Sequence, residues 1–167
     1  PLTADLLCQW HGHVCGNGVH PNAGQLRQKN VRVGTSSFAP HQQVAADLDT
    51  VLTGCQQLEW RLLRHKQPSG ISSGVAVAVY AAAVHFGVLD THPFCDGNGR
   101  TARIATNWAL HRAGVPFLIQ LFATPAQRTE YRQAILQTRR NLSLVGRSGG
   151  AADDDIDETE LDVVGEE

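Results

Sequence analysis

Residues 92–103 read HPFCDGNGRTAR and carry most of the chemistry in this chain. They hold one imidazole (His92), one carboxylate (Asp96), an asparagine between two glycines (Gly97, Asn98, Gly99) and two guanidiniums three residues apart (Arg100, Arg103). His92 is a base suited to pH 7. Both glycines can take φ > 0, so the backbone can turn sharply and present consecutive N–H groups. Helix-forming sequence starts beside them, which adds the open N–H groups and positive dipole end of a helix N-terminus. A glycine turn feeding such a terminus suits phosphate. Arg100 and Arg103 add forked donors that match phosphate oxygens. Asp96 offers a hard oxygen ligand for Mg²⁺, which usually arrives with a polyphosphate. Together these are the parts of a Mg-nucleotide site with a base beside it.

The elements that must position this stretch are mostly helical. Residues 3–15 read as a helix capped by Thr3. Cys8, His11 and Cys15 share one face of it, with His13 and His20 nearby. Zinc is the sharp reading of that face and plain packing the expected one, since no Cys-x2-Cys pair is present. Residues 30–38 alternate and then turn, which suggests a short hairpin with Val31 and Val33 on one face, against an irregular loop. Apolar residues from Val44 to Leu62 keep helix spacing, so residues 41–64 are expected to be one helix. The valines at 75, 77 and 79 alternate like a strand, but the apolar run is too long for one. A buried helix capped by Ser72 or Ser73 is expected. The helix after the glycines should stop at Gly114. Residues 117–122 suggest a short helix or turn. Thr124, Pro125 and Gln127 open a last helix, running to about residue 141.

Composition bounds the rest. A chain of 167 residues with 42% hydrophobic content suits one folded domain. No apolar run is read as a membrane span, and no secretory signal is visible. The four cysteines form no disulfide framework, so a reducing compartment is expected: the cytoplasm, or a host cytosol reached by delivery. The net charge of −2 hides an asymmetry. Residues 151–167 hold nine of the 16 acids and no Lys or Arg, leaving seven acids against 14 basic residues before them. Twelve of the 14 are arginine, which suits an anionic ligand. No basic run or aromatic stacking pattern supports nucleic acid, and no membrane partner is expected. The domain is placed at residues 1–148, with 149–167 an acidic and disordered tail.

The stretch resembles the signature of Fic-domain proteins, H-x-F-x-[D/E]-G-N-G-R-x-x-R. His92, Phe94, Asp96, Gly97, Asn98, Gly99, Arg100 and Arg103 match every specified position. The resemblance implies an all-α, Fic-type helical bundle with a short β-hairpin flap upstream of the motif. Residues Val31, Arg32, Val33 and Gly34 would form that flap and bind the target, with Phe38 and Pro40 after it. It further implies a protein adenylyltransferase that moves AMP from ATP, with Mg²⁺, to a Ser, Thr or Tyr hydroxyl of a target protein. His92 would be the general base and Asp96 the metal ligand. Gly97, Asn98, Gly99, Arg100 and Arg103 would bind the nucleotide, with Arg103 also orienting it for attack. Phe94 would pack beneath the loop.

Gly97 and Gly99 argue against the kinase-like branch of the family, which replaces both. A branch that transfers phosphocholine shares the motif more loosely. Two rival readings stand beside AMP transfer: a nucleotide- or partner-binding module without turnover, and transfer of UMP or another phosphate-linked group. The family's inhibitory pattern [S/T]-x-x-x-E-[G/N] does not occur in these residues, so a separate inhibitory protein is one expected source of restraint. His11, His20, His85 and His111 are read as packing or surface residues. Tyr131 is a candidate for the nucleoside pocket, with a core or surface role equally open.

The tail has two readings, a solvated end or a tethered polyanion that competes weakly with ATP. Deleting residues 151–167 separates them. Competition tightens apparent ATP affinity at low salt and fades near 1 M, where the Debye length falls to about 3 Å. Equal affinities at low salt leave only the solvated end.

Overall fold

Five helices and one two-stranded hairpin make up the regular structure of the described residues. The computed structural model describes residues 1–16, 21–34, 36–65 and 70–146. The boundary expected at 148, the acidic tail and His20 lie outside the described residues.

Caps set the helix starts. Helix α1 (Ala4–Cys15) begins at Thr3, whose hydroxyl accepts the Leu6 N–H at 3.2 Å. Strands β1 (Arg32–Val33) and β2 (Ser36–Ser37) pair antiparallel, Arg32 opposite Ser37 and Val33 opposite Ser36. A 3₁₀ turn at His41–Gln43 leads into α2 (Val44–Glu59). Helix α3 (Ser73–Thr91) starts at Ser72, whose Oγ accepts the Val75 N–H. Helix α4 (Asn98–Arg112) stops before Gly114, at φ 89. Helix α5 (Pro125–Gly146) opens with a capping box. Thr124 Oγ1 accepts the Gln127 N–H, and Gln127 Oε1 accepts those of Ala123 and Thr124.

Three details differ from the sequence expectation. First, residues 41–64 are not one α-helix, because Trp60–Arg64 form a π turn. In that wider register residue i+5 lies above residue i. The His65 N–H reaches the Trp60 carbonyl at 2.8 Å, and Arg64 reaches Glu59. Second, residues 117–122, expected as a short helix or turn, form no helix. Asn107 takes the main-chain groups a helix would use: its Oδ1 accepts the Ile119 N–H at 2.7 Å and its Nδ2 donates to the Ile119 carbonyl at 3.0 Å. Third, α3, at 19 residues, is long and apolar enough in composition to cross a membrane, with a mean hydropathy of 1.5 over 18 of them. Tyr80, Val84 and Val88 are in the core while Val75 and Val79 are exposed, so the helix expected to be buried is only partly so.

The described chain forms two units. In the first, Pro1–Asn30 with Ala39–Gln120, α3 packs against α2 and α4, and α1 packs against α4 and α2. Leu7, Leu48, Leu52, Val84, Val88 and Phe94 fill the core. Ala102, Ala105 and Ala109 give α4 a small-residue face that is wholly buried. Each large apolar side chain buried there contributes roughly 1.5–3 kcal/mol before entropy is counted. The second unit joins the hairpin segment Val31–Phe38 to the described residues after Gln120. Within it the Arg139 guanidinium lies 4.6 Å from the centre of the Phe38 ring, and Phe122 packs on Tyr131.

One buried carboxylate ties three elements of the first unit. Glu59, at the end of α2, accepts from Arg112 Nε and Nη2 at 3.2 and 2.9 Å, from the Tyr80 hydroxyl at 3.1 Å and from Arg64 at 3.4 Å. Burial alone would push its pKa up. The hydrogen bonds from Arg112, Tyr80 and Arg64 outweigh burial and hold it below the ordinary carboxylate value. Such a group stabilises the fold fully above its unfolded pKa, and that stability is lost as pH falls through the lower folded pKa. Wild-type stability should therefore fall as pH drops below about 4.5, and Glu59→Gln should flatten that slope. At neutral pH, Glu59→Gln should cost about 1–3 kcal/mol in denaturant titration.

Candidate active site

The motif loop is a short reversal between two packed helices. Helix α3 ends at His92, which adopts left-handed backbone (φ 48, ψ 59) and still donates its N–H to the Val88 carbonyl. It is the one non-glycine with positive φ among the described residues. That conformation is costly for a residue with a Cβ. It turns the half-buried imidazole out of the helix, where Nδ1 donates to the Leu89 carbonyl at 3.2 Å. With the proton on Nδ1, the basic lone pair is on Nε2.

Beyond His92 the loop is pinned from within. Asn98 is buried, and its carboxamide grips Phe94 twice. Oδ1 accepts the Phe94 N–H at 3.0 Å and Nδ2 donates to the Phe94 carbonyl at 2.9 Å. The side chain of Asn98 is thus committed to the loop, and what it offers a ligand is its main-chain N–H. Gly97, at φ 72, caps α4, and its carbonyl receives the first helical hydrogen bond, from Thr101. The N–H groups of Asn98, Gly99 and Arg100 precede that bond and form the open end of the helix. Gly99 is helical, so only Gly97 of the two glycines uses positive φ.

The cations divide. Arg100 is exposed, pairs with Asp96 at 3.2 Å and donates to the Val14 carbonyl near the end of α1. Arg103 is half-buried and curls back toward the first turn of α4, where a Cβ on Gly99 would lie 3.6 Å from its Nη1. Asp96 is exposed. Its carboxylate has the chemistry to hold a Mg²⁺ that arrives with a polyphosphate.

Three histidines lie in or beside this loop, and environment separates them. His85 is buried between α3 and α4, with Nδ1 donating to Thr106 Oγ1 at 2.7 Å while Thr106 donates to the Ala102 carbonyl. Burial pushes its pKa down to about 4, so it stays neutral. His11 of α1 is buried flat against Phe94, with ring centres 3.9 Å apart. Its Nδ1 accepts the Gly24 N–H at 2.8 Å and its Nε2 donates to the Asp96 carbonyl at 3.1 Å. His11 is therefore a packed residue with a specific duty, holding the motif loop from below. His92 alone of the three is both at the loop and partly open.

Sequence reasoning missed one residue. Arg27 is buried and makes all its hydrogen bonds to main-chain carbonyls. Nε donates to His92 at 2.8 Å, Nη2 to Ala39 at 2.6 Å and Nη1 to Lys29 at 3.2 Å, and its own N–H reaches the Pro93 carbonyl at 2.9 Å. Burial pushes its pKa below the usual guanidinium value, yet arginine keeps its charge in proteins. In the sequence it is one arginine of twelve, in a polar loop, with nothing to mark it.

A profile of the Fic/DOC family matches residues 1–110, from α1 through the motif into α4. The chain belongs to the Fic/DOC family. It is similar to the protein adenylyltransferase Fic of Drosophila mojavensis, 46% identical over 130 residues, covering 78% of this chain and 23% of that protein. It is also similar to the protein adenylyltransferase fic-1 of Caenorhabditis elegans, 29% identical over 126 residues, 75% of this chain and 22% of that one. A uridine 5'-monophosphate transferase of Xanthomonas campestris pv. campestris is 30% identical over 119 residues, 70% of this chain and 22% of the relative. The chain thus spans less than a quarter of the length of each of these relatives.

The two glycines of this Fic motif do different work. A Cβ on Gly97 would strike Cys15 Sγ and come within 3.1 Å of His11 Nε2, at a positive φ that disfavours any side chain. A Cβ on Gly99 would meet only the flexible end of Arg103. Gly97→Ala should therefore lose about 2 kcal/mol or more of stability. Gly99→Ala should stay within about 1 kcal/mol of wild type or gain slightly. Denaturant titration of both variants checks the contrast.

Proposed function

We propose that this Fic domain transfers AMP from ATP to a Ser, Thr or Tyr hydroxyl of a target protein. The observation that carries the reading is the placement of His92. Its Nδ1 is held by the Leu89 carbonyl, so Nε2 is the basic atom, and the loop it starts runs directly into the open end of α4. In the proposed reaction Nε2 takes the hydroxyl proton as the oxygen attacks the α-phosphorus. The bond from that phosphorus to the bridging oxygen breaks, and pyrophosphate leaves with the electron pair. The N–H groups of Asn98, Gly99 and Arg100 and the guanidinium of Arg103 stabilise the phosphate charge. The bare Cα of Gly99 lets phosphate oxygens approach the backbone closely. Asp96 would hold Mg²⁺, whose charge helps neutralise the leaving group. The hairpin edge at Val31–Gly34 would receive the target segment as an added strand. The names of the Drosophila and Caenorhabditis relatives support AMP as the group transferred.

A second reading has one observation behind it, the relative named as a uridine 5'-monophosphate transferase. Incubating the chain with labelled ATP or UTP, Mg²⁺ and lysate separates the two by which label enters protein. His92→Ala should lower transfer by about 10²–10⁴-fold while the ATP Kd stays within about twofold, because the base acts on the acceptor. Retained transfer would remove His92 from the chemistry. Binding of ATP with no label in protein would leave a module without turnover.

A further inference from the structure

The base of the proposed reaction sits on a strained residue, and something must hold it there. His92 takes left-handed backbone without being glycine. One ring hydrogen bond, to the Leu89 carbonyl, is local to its own helix. Its carbonyl, in contrast, is gripped by a group from a distant segment, Arg27 Nε at 2.8 Å. The same segment's main chain takes hold of the next residue, through the Arg27 N–H and the Pro93 carbonyl.

The other two arms of the guanidinium go to either side of the hairpin segment. Nη1 reaches Lys29, just before residues 31–38, and Nη2 reaches Ala39, just after them. A second bond draws the same two roots together, as the His41 N–H donates to Asn30 Oδ1 at 2.9 Å. One planar cation therefore links the main chain of the base to both roots of the hairpin. All three arms end on main-chain carbonyls. A fork of fixed geometry suits this, because the guanidinium spreads its donors over three nitrogens while an ammonium has all of them on one atom.

We propose that Arg27 is a positioning residue that sets His92 against the acceptor by locking the His92 carbonyl to both roots of the hairpin. This rests on the AMP-transfer reading above. Arg27 touches neither nucleotide nor acceptor in this scheme. Its loss should leave the phosphate-binding end of α4 intact, since Asn98 and His11 hold that part of the loop. The step that suffers is proton abstraction from a hydroxyl that must arrive at the correct place.

Arg27→Lys in the full chain tests this, because it keeps the charge and the aliphatic stem. The expected result is a fall in kcat for transfer of about 10–100-fold, the scale of a small misplacement, with the KM and Kd for ATP within about twofold. Two-dimensional ¹⁵N spectra of the His92 ring should show the Nδ1–H tautomer less populated than in wild type. Unchanged kcat would overturn the proposal. So would a loss of ATP affinity equal to the loss of rate, which marks general damage to the site. If wild type transfers no nucleotide to protein, the AMP-transfer reading fails separately. The His92 spectrum then decides, and an identical ring pattern in Arg27→Lys overturns the positioning role. If Arg27→Lys does not fold, scalar coupling across the Arg27 Nε–H to His92 carbonyl bond in the wild-type chain decides. Its absence overturns the proposal and its presence supports it.

Discussion

A loop buried between two packed helices must find partners for its own main-chain polar groups, and much of this site follows from that requirement. Residues 93–97 join α3 to α4, and Pro93, Phe94 and Gly97 of this loop are buried, as is Asn98 after it. An orphaned buried amide or carbonyl costs as much as a lost hydrogen bond. Side chains from three places supply what the loop lacks. Asn98 serves both polar groups of Phe94, His11 serves the Asp96 carbonyl, and Arg27 serves the carbonyls of His92 and, through its own N–H, Pro93. The N–H groups at the open end of α4 stay available because the loop's own needs are met elsewhere. A phosphate site is what remains when a helix start is left uncapped by side chains but rigidly supported.

The helices around the loop provide stiffness. Small residues on α4 let α3 approach closely, and the core behind them contains Val84, Val88 and Phe94. At the far end of the pair, Glu59 gathers Tyr80 of α3 and Arg112 of α4. A buried carboxylate of this kind is weak evidence for stability as such, because desolvation offsets much of the attraction. Its stronger effect is on register: the π turn after α2 exists in the geometry that lets Arg64 reach Glu59 as well. With α3 and α4 fixed in register at one end by this cluster and at the other by the motif loop, neither helix can slide without breaking buried bonds.

Burial also assigns roles among chemically identical side chains. His11, His85 and His92 carry the same ring. His85 is held neutral by desolvation, His11 has its ring stacked and bonded to main chain on both sides, and His92 alone is displayed at the loop. The arginines divide in the same way. Arg27 is architecture, Arg100 bridges to α1 and Asp96, and Arg103 curls toward the helix start.

The sequence by itself determined what local rules govern. Thr3, Ser72 and the Thr124–Gln127 pair announced helix starts because a short side-chain oxygen can reach an amide two or three residues on. The helices at 3–15 and 73–91 and the hairpin at 31–38 were legible from caps, spacing and turn residues. The motif gathers the residues proposed as base, metal ligand and phosphate-binding turn because they are contiguous in the chain. Tertiary structure decided whatever depends on partners far apart in the chain. That Arg27 holds His92, that His11 lies under Phe94 and that Glu59 is buried with Tyr80 and Arg112 are contacts between segments tens of residues apart, with no periodicity to betray them. The strapped segment at 117–120 belongs to the same class: the local sequence allowed several backbones, and the Asn107 side chain selected one.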